Sequence, residues 1–194
     1  TAIGMRSMGV RPGTGDDGSR RQSQSLREPS STTKPAAWRS AAAGLLTLEF
    51  DGSAFFGWQR QPDRRTVQQV VEEALGRLAG MPCTAIAAGR TDTGVHALAM
   101  PVSTTMPEQW TAEALLRALN AVLPRDVAVS EIRAIASGRD ARRAADSRRY
   151  RYDVGVDAAS RSPFRGRTEW ALGRPVDLAL LQRAASVLEG EHEF

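Results

Sequence analysis

Lysine and cysteine are almost missing from this 194-residue chain: Lys34 and Cys83 are the only ones. A lone cysteine excludes an intrachain disulfide framework, reads as a small packed residue and fits a reducing compartment. With lysine absent, nearly every cation is a guanidinium, a group suited to bidentate phosphate contacts and also a product of biased coding composition. No apolar run approaches the roughly 20 residues that span a bilayer, and the start lacks the apolar stretch of a secretory signal. The expectation is a cytoplasmic protein without a membrane partner.

Excess charge is missing from most of the chain as well. The net charge is +4, yet residues 1–43 hold seven basic and three acidic side chains, so the whole excess lies there. The remainder is neutral, and any polyanion it meets must be met by a local patch. Residues 1–43 are rich in Ser, Gly, Arg and Pro without apolar periodicity, so they are expected to be a disordered basic tail able to add nonspecific attraction to RNA. Residues 44–194 are expected to form the folded domain, and about 150 residues can bury a real core.

The most telling stretch is Gly89-Arg90-Thr91-Asp92-Thr93-Gly94-Val95-His96-Ala97, preceded by the apolar run Ala85-Ile86-Ala87-Ala88. A strand delivering Asp92 to a glycine-hinged loop is how an active-site loop is built. The same letters also make an ordinary turn, in which an Asp side chain bonds its own backbone. Chemistry alone leaves both readings open. His96 reads as a packed loop histidine.

Period-two alternation of Leu46, Leu48 and Phe50 predicts a first strand, followed by a turn at Asp51-Gly52 and the cluster Phe55-Phe56-Gly57-Trp58-Gln59. Core packing accounts for most of these aromatics, and Gln59 with the following arginines can rim an RNA groove. Thr66 opens a helix with capping-box spacing, and Val67, Val70, Val71, Ala74, Leu75 and Leu78 recur along it up to Gly80. A strand at 83–88 follows. Residues 100–106 read as extended, with Pro101 demoting them to an edge or an interrupted strand. Thr111 caps a second helix with Ala114, Leu115, Ala118, Leu119 and Val122 on its apolar stripe, and Val127 to Val129 form a short strand.

Residues 139–151 hold six arginines, the chain's one local basic patch, interleaved at the end with Tyr150 and Tyr152. A solvated charge run is one reading, and phosphate contact with base stacking is the other. Alternation of Tyr150, Tyr152, Val154 and Val156 predicts a longer strand with Tyr150 on the core face, its ring either core or the wall of a buried pocket. Asp177 then caps a third helix, with Leu178, Leu181, Ala184, Ala185 and Leu188 on its buried face and Gly190 ending it. The order of elements predicts an α+β fold, a mostly antiparallel sheet with helices packed on one face. The last helix has no following strand to return to, so the chain is expected to be a fragment.

Together, Gly89 to Ala97, Phe50-Asp51-Gly52 with Gly57-Trp58-Gln59-Arg60-Gln61, and Arg148-Arg149-Tyr150-Arg151-Tyr152 resemble the TruA family of tRNA pseudouridine synthases. Supporting signs are Val67-Gln68, Asn120 with Leu123-Pro124, and Gly190-Glu191-His192-Glu193-Phe194. The resemblance runs from about Leu45 to Phe194 and implies the pseudouridine synthase fold, incomplete at its C-terminal end. It implies an isomerase that converts uridine to pseudouridine at positions 38–40 of the tRNA anticodon stem-loop, with tRNA as partner, no cofactor, no metal and a homodimer at full length. Asp92 matches the catalytic aspartate and Tyr150 the active-site tyrosine, which would stack on uracil. Arg90 would either keep that carboxylate ionised or contact the flipped-out backbone. Arg148 and Arg149 are the expected phosphate ligands, and Arg142 matches the family's Ala-Arg pair although its apolar neighbours do not. Thr93 stands where the family usually has alanine. The competing expectation is a noncatalytic RNA-binding module, or an inactive fragment of such an enzyme.

Overall fold

A computed structural model of the chain describes residues 43–105, 110–136 and 138–192. All of the expected tail except Ala43 lies outside them. The described chain divides between Tyr150 and Arg151 into two compact units.

In the larger unit a four-stranded antiparallel sheet runs in the order β2-β3-β1-β4. Its strands are β1 (Ala43–Phe50), β2 (Ala85–Ala87), β3 (Ala97–Thr105) and β4 (Val127–Ile135). Three cross-strand rows form its apolar face. Leu46 lies between Val102 and Ile132, Leu48 between Met100 and Val129, and Phe50 between Ala97 and Val127. All nine side chains are buried. Helices α1 (Val67–Ala79) and α2 (Ala112–Val122) close this face with Val67, Val71, Ala74 and Leu75 from one and Leu115 and Leu119 from the other. Each buried side chain of this size contributes about 1.5–3 kcal/mol, so the rows and stripes carry most of the stability.

The helix starts follow their caps. Thr66 Oγ1 accepts from the Gln69 N–H, Thr111 Oγ1 from the Ala114 N–H, and α1 ends at Gly80 in the left-handed region. Side chains from the helices also cap both sheet edges. Glu72 Oε1 accepts from the Ala85 N–H and Gln68 Nε2 donates to the Ala85 carbonyl, while Asn120 exchanges two 2.8 Å hydrogen bonds with the Val129 backbone. Edge groups that would template pairing with another chain are thereby occupied.

Pro101 does not lie on an edge. It sits within β3, between β1 and β2. The register explains why it is tolerated there: Pro101 directs its backbone polar groups toward β2, one position past the last residue of that strand, where its carbonyl accepts from the Ala88 N–H. The ladder with β1 therefore loses no donor.

The smaller unit contains β5 (Val154–Gly155) and β6 (Trp170–Ala171), paired in parallel, and α3 (Leu178–Ser186). Arg165 bonds both Asp157 and Glu169, and it holds the Asp157 carboxyl below the usual carboxylate range through that hydrogen bond. Asp177 caps α3 as expected, but the helix ends at Ser186, before Gly190, and none of its residues is buried. The long strand expected to begin near Tyr150 is also shorter than its pattern. Alternation makes a strand possible, but only a partner ladder makes one, and only Val154–Gly155 have one.

Candidate active site

The loop that follows β2 is held by main-chain contacts to the aromatic segment after β1. The Trp58 N–H donates to the Thr91 carbonyl at 2.9 Å, and the Gly94 N–H donates to the Phe55 carbonyl at 3.2 Å. Gly57 makes this docking possible. Its φ is +81°, and a Cβ there would stand 2.5 Å from Thr91 O and 3.4 Å from the Asp92 Cα. At the far end of the loop the buried His96 ring sits behind the turn at Asp51-Gly52: Nδ1 accepts from the Gly52 N–H at 3.3 Å and lies 3.1 Å from Asp51 Oδ1. A side chain at Gly52 would run into the Val95 carbonyl, so both ends of the loop close against backbone.

Asp92 stands exposed at the tip of this loop, and its backbone carbonyl accepts from the Val95 N–H in a tight turn. Among the described residues its carboxylate forms no ion pair, with Arg90 or with any other cation. Arg90 instead faces an open groove of about 430 Å³ along the outer edge of β2.

That groove gathers most of the residues singled out in the sequence. Arg90, Arg142, Arg148 and Tyr150 line it together with Gln59 and Gln68. Asp92 is two residues beyond Arg90 and does not line the groove itself. Gln68 is fully engaged, accepting from Gln59 Nε2 and the Arg60 N–H and donating to Glu72 and Ala85. Tyr150 is 55% exposed, which corrects the core-face placement: its ring is a wall of the groove. Phe55 and Trp58 are core, whereas Phe56 is exposed beneath the Arg64 guanidinium.

Arg148 and Arg149 diverge. Arg148 donates from both Nε, at 3.1 Å, and Nη2, at 2.6 Å, to the carbonyl of Ala88, the residue just before the Asp92 loop. Arg149 does not line the groove and borders a separate cavity on the sheet face opposite the helices. Among the described residues no group of His, Cys, Asp and Glu is arranged to hold a metal ion, and no helix is long and apolar enough to cross a membrane.

Among the described residues, a carboxylate without an ion pair thus stands on a backbone-clamped loop beside a groove lined by arginines and an aromatic ring. Residues 47–137 match the model of the tRNA pseudouridine synthase family, and the similarity to its members extends over about three quarters of the chain. Its relatives include proteins named tRNA pseudouridine synthase A from Myxococcus xanthus, 40% identical over 77% of this chain and 56% of the relative, and from Rhodospirillum rubrum, 40% identical over 77% and 54%. That of Syntrophotalea carbinolica is 38% identical over 77% and 59%. The chain therefore spans between half and three fifths of the length of these relatives.

Proposed function

We propose that the full-length protein is a tRNA pseudouridine synthase acting on the anticodon stem-loop, with Asp92 as its catalytic carboxylate. The observation that carries this reading is the placement of Asp92: exposed and unpaired at the tip of a clamped loop, next to the groove where Arg90, Arg142 and Tyr150 converge. The reaction breaks the C1′–N1 bond of uridine, turns the base and forms a C1′–C5 bond; the C5 proton leaves and N1 gains one, so atoms and electrons balance without a cofactor. A carboxylate beside the ribose serves this chemistry as nucleophile or as base.

Turning a paired or stacked base outward costs a few kcal/mol, and a π-face can return about 1–3 kcal/mol by stacking. Tyr150, a wall of the groove, is the group we assign to that role. Arg90 and Arg142 are assigned to the displaced backbone and Arg149 to phosphates beyond the groove, with tRNA as the partner. A homodimer and a cytoplasmic location complete the reading. The first rests on the family resemblance, the second on the lone cysteine and the lack of long apolar runs in the sequence.

Tritium at uracil C5 is released when pseudouridine forms. The full-length protein is expected to release it from labelled tRNA, and Asp92→Asn to abolish release while tRNA binding is retained. Undiminished release by Asp92→Asn would overturn the assignment. Binding without release by the unsubstituted protein would support the noncatalytic RNA-binding module instead.

A further inference from the structure

Arg148 lies in a basic run and invites assignment as a phosphate ligand. Its bonding points elsewhere. In the antiparallel pairing of β2 with β3, Ala88 stands opposite Pro101, and its N–H donates to the Pro101 carbonyl at 2.8 Å. An ordinary residue at 101 would return an N–H to the Ala88 carbonyl, but proline has none. The Ala88 carbonyl is thereby left without its ladder donor, and the Arg148 guanidinium supplies two. Strand β2 ends at that point because the donor to its next carbonyl comes from outside the sheet.

The consequence is positional. Ala88 is two residues before Arg90, and Arg148 is two residues before Tyr150, so one bidentate contact sets the tyrosine wall of the groove against the base of the Asp92 loop. Burial does little to fix residues 139–149. Ala141 is the only buried residue among those described there, and its N–H donates to Ser103 Oγ, which donates in turn to the Ile86 carbonyl. Beneath the segment, a cavity of about 160 Å³ separates small alanine side chains from the sheet. Residues 139–149 are a strap with scant packing, and these two polar contacts tie it to β2 and the residue after it.

We propose that Arg148 is a positioning residue, standing in for the missing Pro101 N–H, and that the Pro101–Arg148 pair fixes Tyr150 relative to Asp92. The proposal rests on the pseudouridine synthase reading for its effect on turnover, but not for the strap itself. In the full-length protein, Arg148→Ala is expected to lower kcat on the order of 100-fold, the scale of a misplacement of about 1 Å. The Kd for tRNA and its salt dependence should stay as they were. Arg148→Lys should fail to restore kcat, since an ammonium keeps the charge but not the planar fork. Pro101→Ala, which offers the carbonyl its ladder N–H and changes no charge, should also lower kcat.

If Arg148 is instead a phosphate ligand, Arg148→Ala weakens tRNA binding and lowers the salt slope by about 0.7–0.9, Arg148→Lys is active, and the proposal fails. Hydrogen exchange separates the strap from the enzyme reading. Peptides covering 88–95 and 139–150 should exchange faster in Arg148→Ala than in the unsubstituted protein, whatever the activity of either. Unchanged exchange overturns the strap; faster exchange in a protein that never releases tritium upholds it and overturns the enzyme reading alone.

Discussion

A methyl group at Gly57 would press on the Thr91 carbonyl and the Asp92 backbone, in a conformation with φ of +81° that side chains resist. Gly57→Ala is therefore expected to cost about 1–3 kcal/mol of strain and to shift the Asp92 tip. In the full-length protein it should lower turnover in the tritium assay on the order of 100-fold while filter binding of tRNA is retained; full turnover would show that the loop tolerates the shift. At this scale the sequence was informative about chemistry and poor about contacts. Asp92, Arg90 and Tyr150 stood out because of their local motifs. The demand on Gly57 did not, because it comes from a loop that folds back on it from later in the chain. The bond from Arg148 to the Ala88 carbonyl was hidden for a similar reason, since a guanidinium bonded to a main-chain carbonyl reads in sequence like one awaiting a phosphate.

Helices α1 and α2 were legible because their signals are local: a threonine cap, an apolar stripe, a glycine or proline stop. The four strands of the main sheet were legible too, but not their bounds or order, because a strand's extent and place are set by partners that sequence does not name. Pro101 was expected to mark an edge or an interruption and lies inside the continuous β3 within the sheet, β4 runs on to Ile135 past the expected Val129, and the alternation after Tyr150 yields only Val154–Gly155. Asn120 shows how an element can be tied from outside. Its amide matches both polar groups of the Val129 backbone, donor to acceptor and acceptor to donor, on the exposed edge of β4. Asn120→Asp should keep the bond from the Val129 N–H and set a carboxylate oxygen against the Val129 carbonyl. Asn120→Ala loses both bonds. Urea denaturation should show Asn120→Asp to be destabilised, and Asn120→Ala by about 1–2 kcal/mol, two partly exposed hydrogen bonds at their usual net worth. An alanine variant as stable as the original would mean that water caps β4 equally well.

For the whole molecule, the distribution of charge decides what salt dependence can reveal. All of the net +4 lies in residues 1–43, and the rest of the chain is neutral, so under the proposed function long-range attraction to RNA and contact within the groove fall to different parts. Each phosphate neutralised by an arginine contributes a salt slope of about 0.7–0.9. Arg142→Ala with Arg149→Ala should therefore reduce the slope for specific tRNA by about 1.4–1.8, raise KM and leave kcat at saturating tRNA nearly unchanged. Deleting residues 1–42 should do something else: weaken binding at low salt to any RNA by a similar factor, because net charge alone cannot tell one polyanion from another. Measuring tRNA and an unrelated RNA of equal length across a salt series distinguishes the two effects. If the tail deletion removed the preference for tRNA, or the double substitution left the slope unchanged, recognition would have to be reassigned from the groove to the tail. The neutral folded part makes this a sharp test, because it has no diffuse positive field to mask the loss of two arginines.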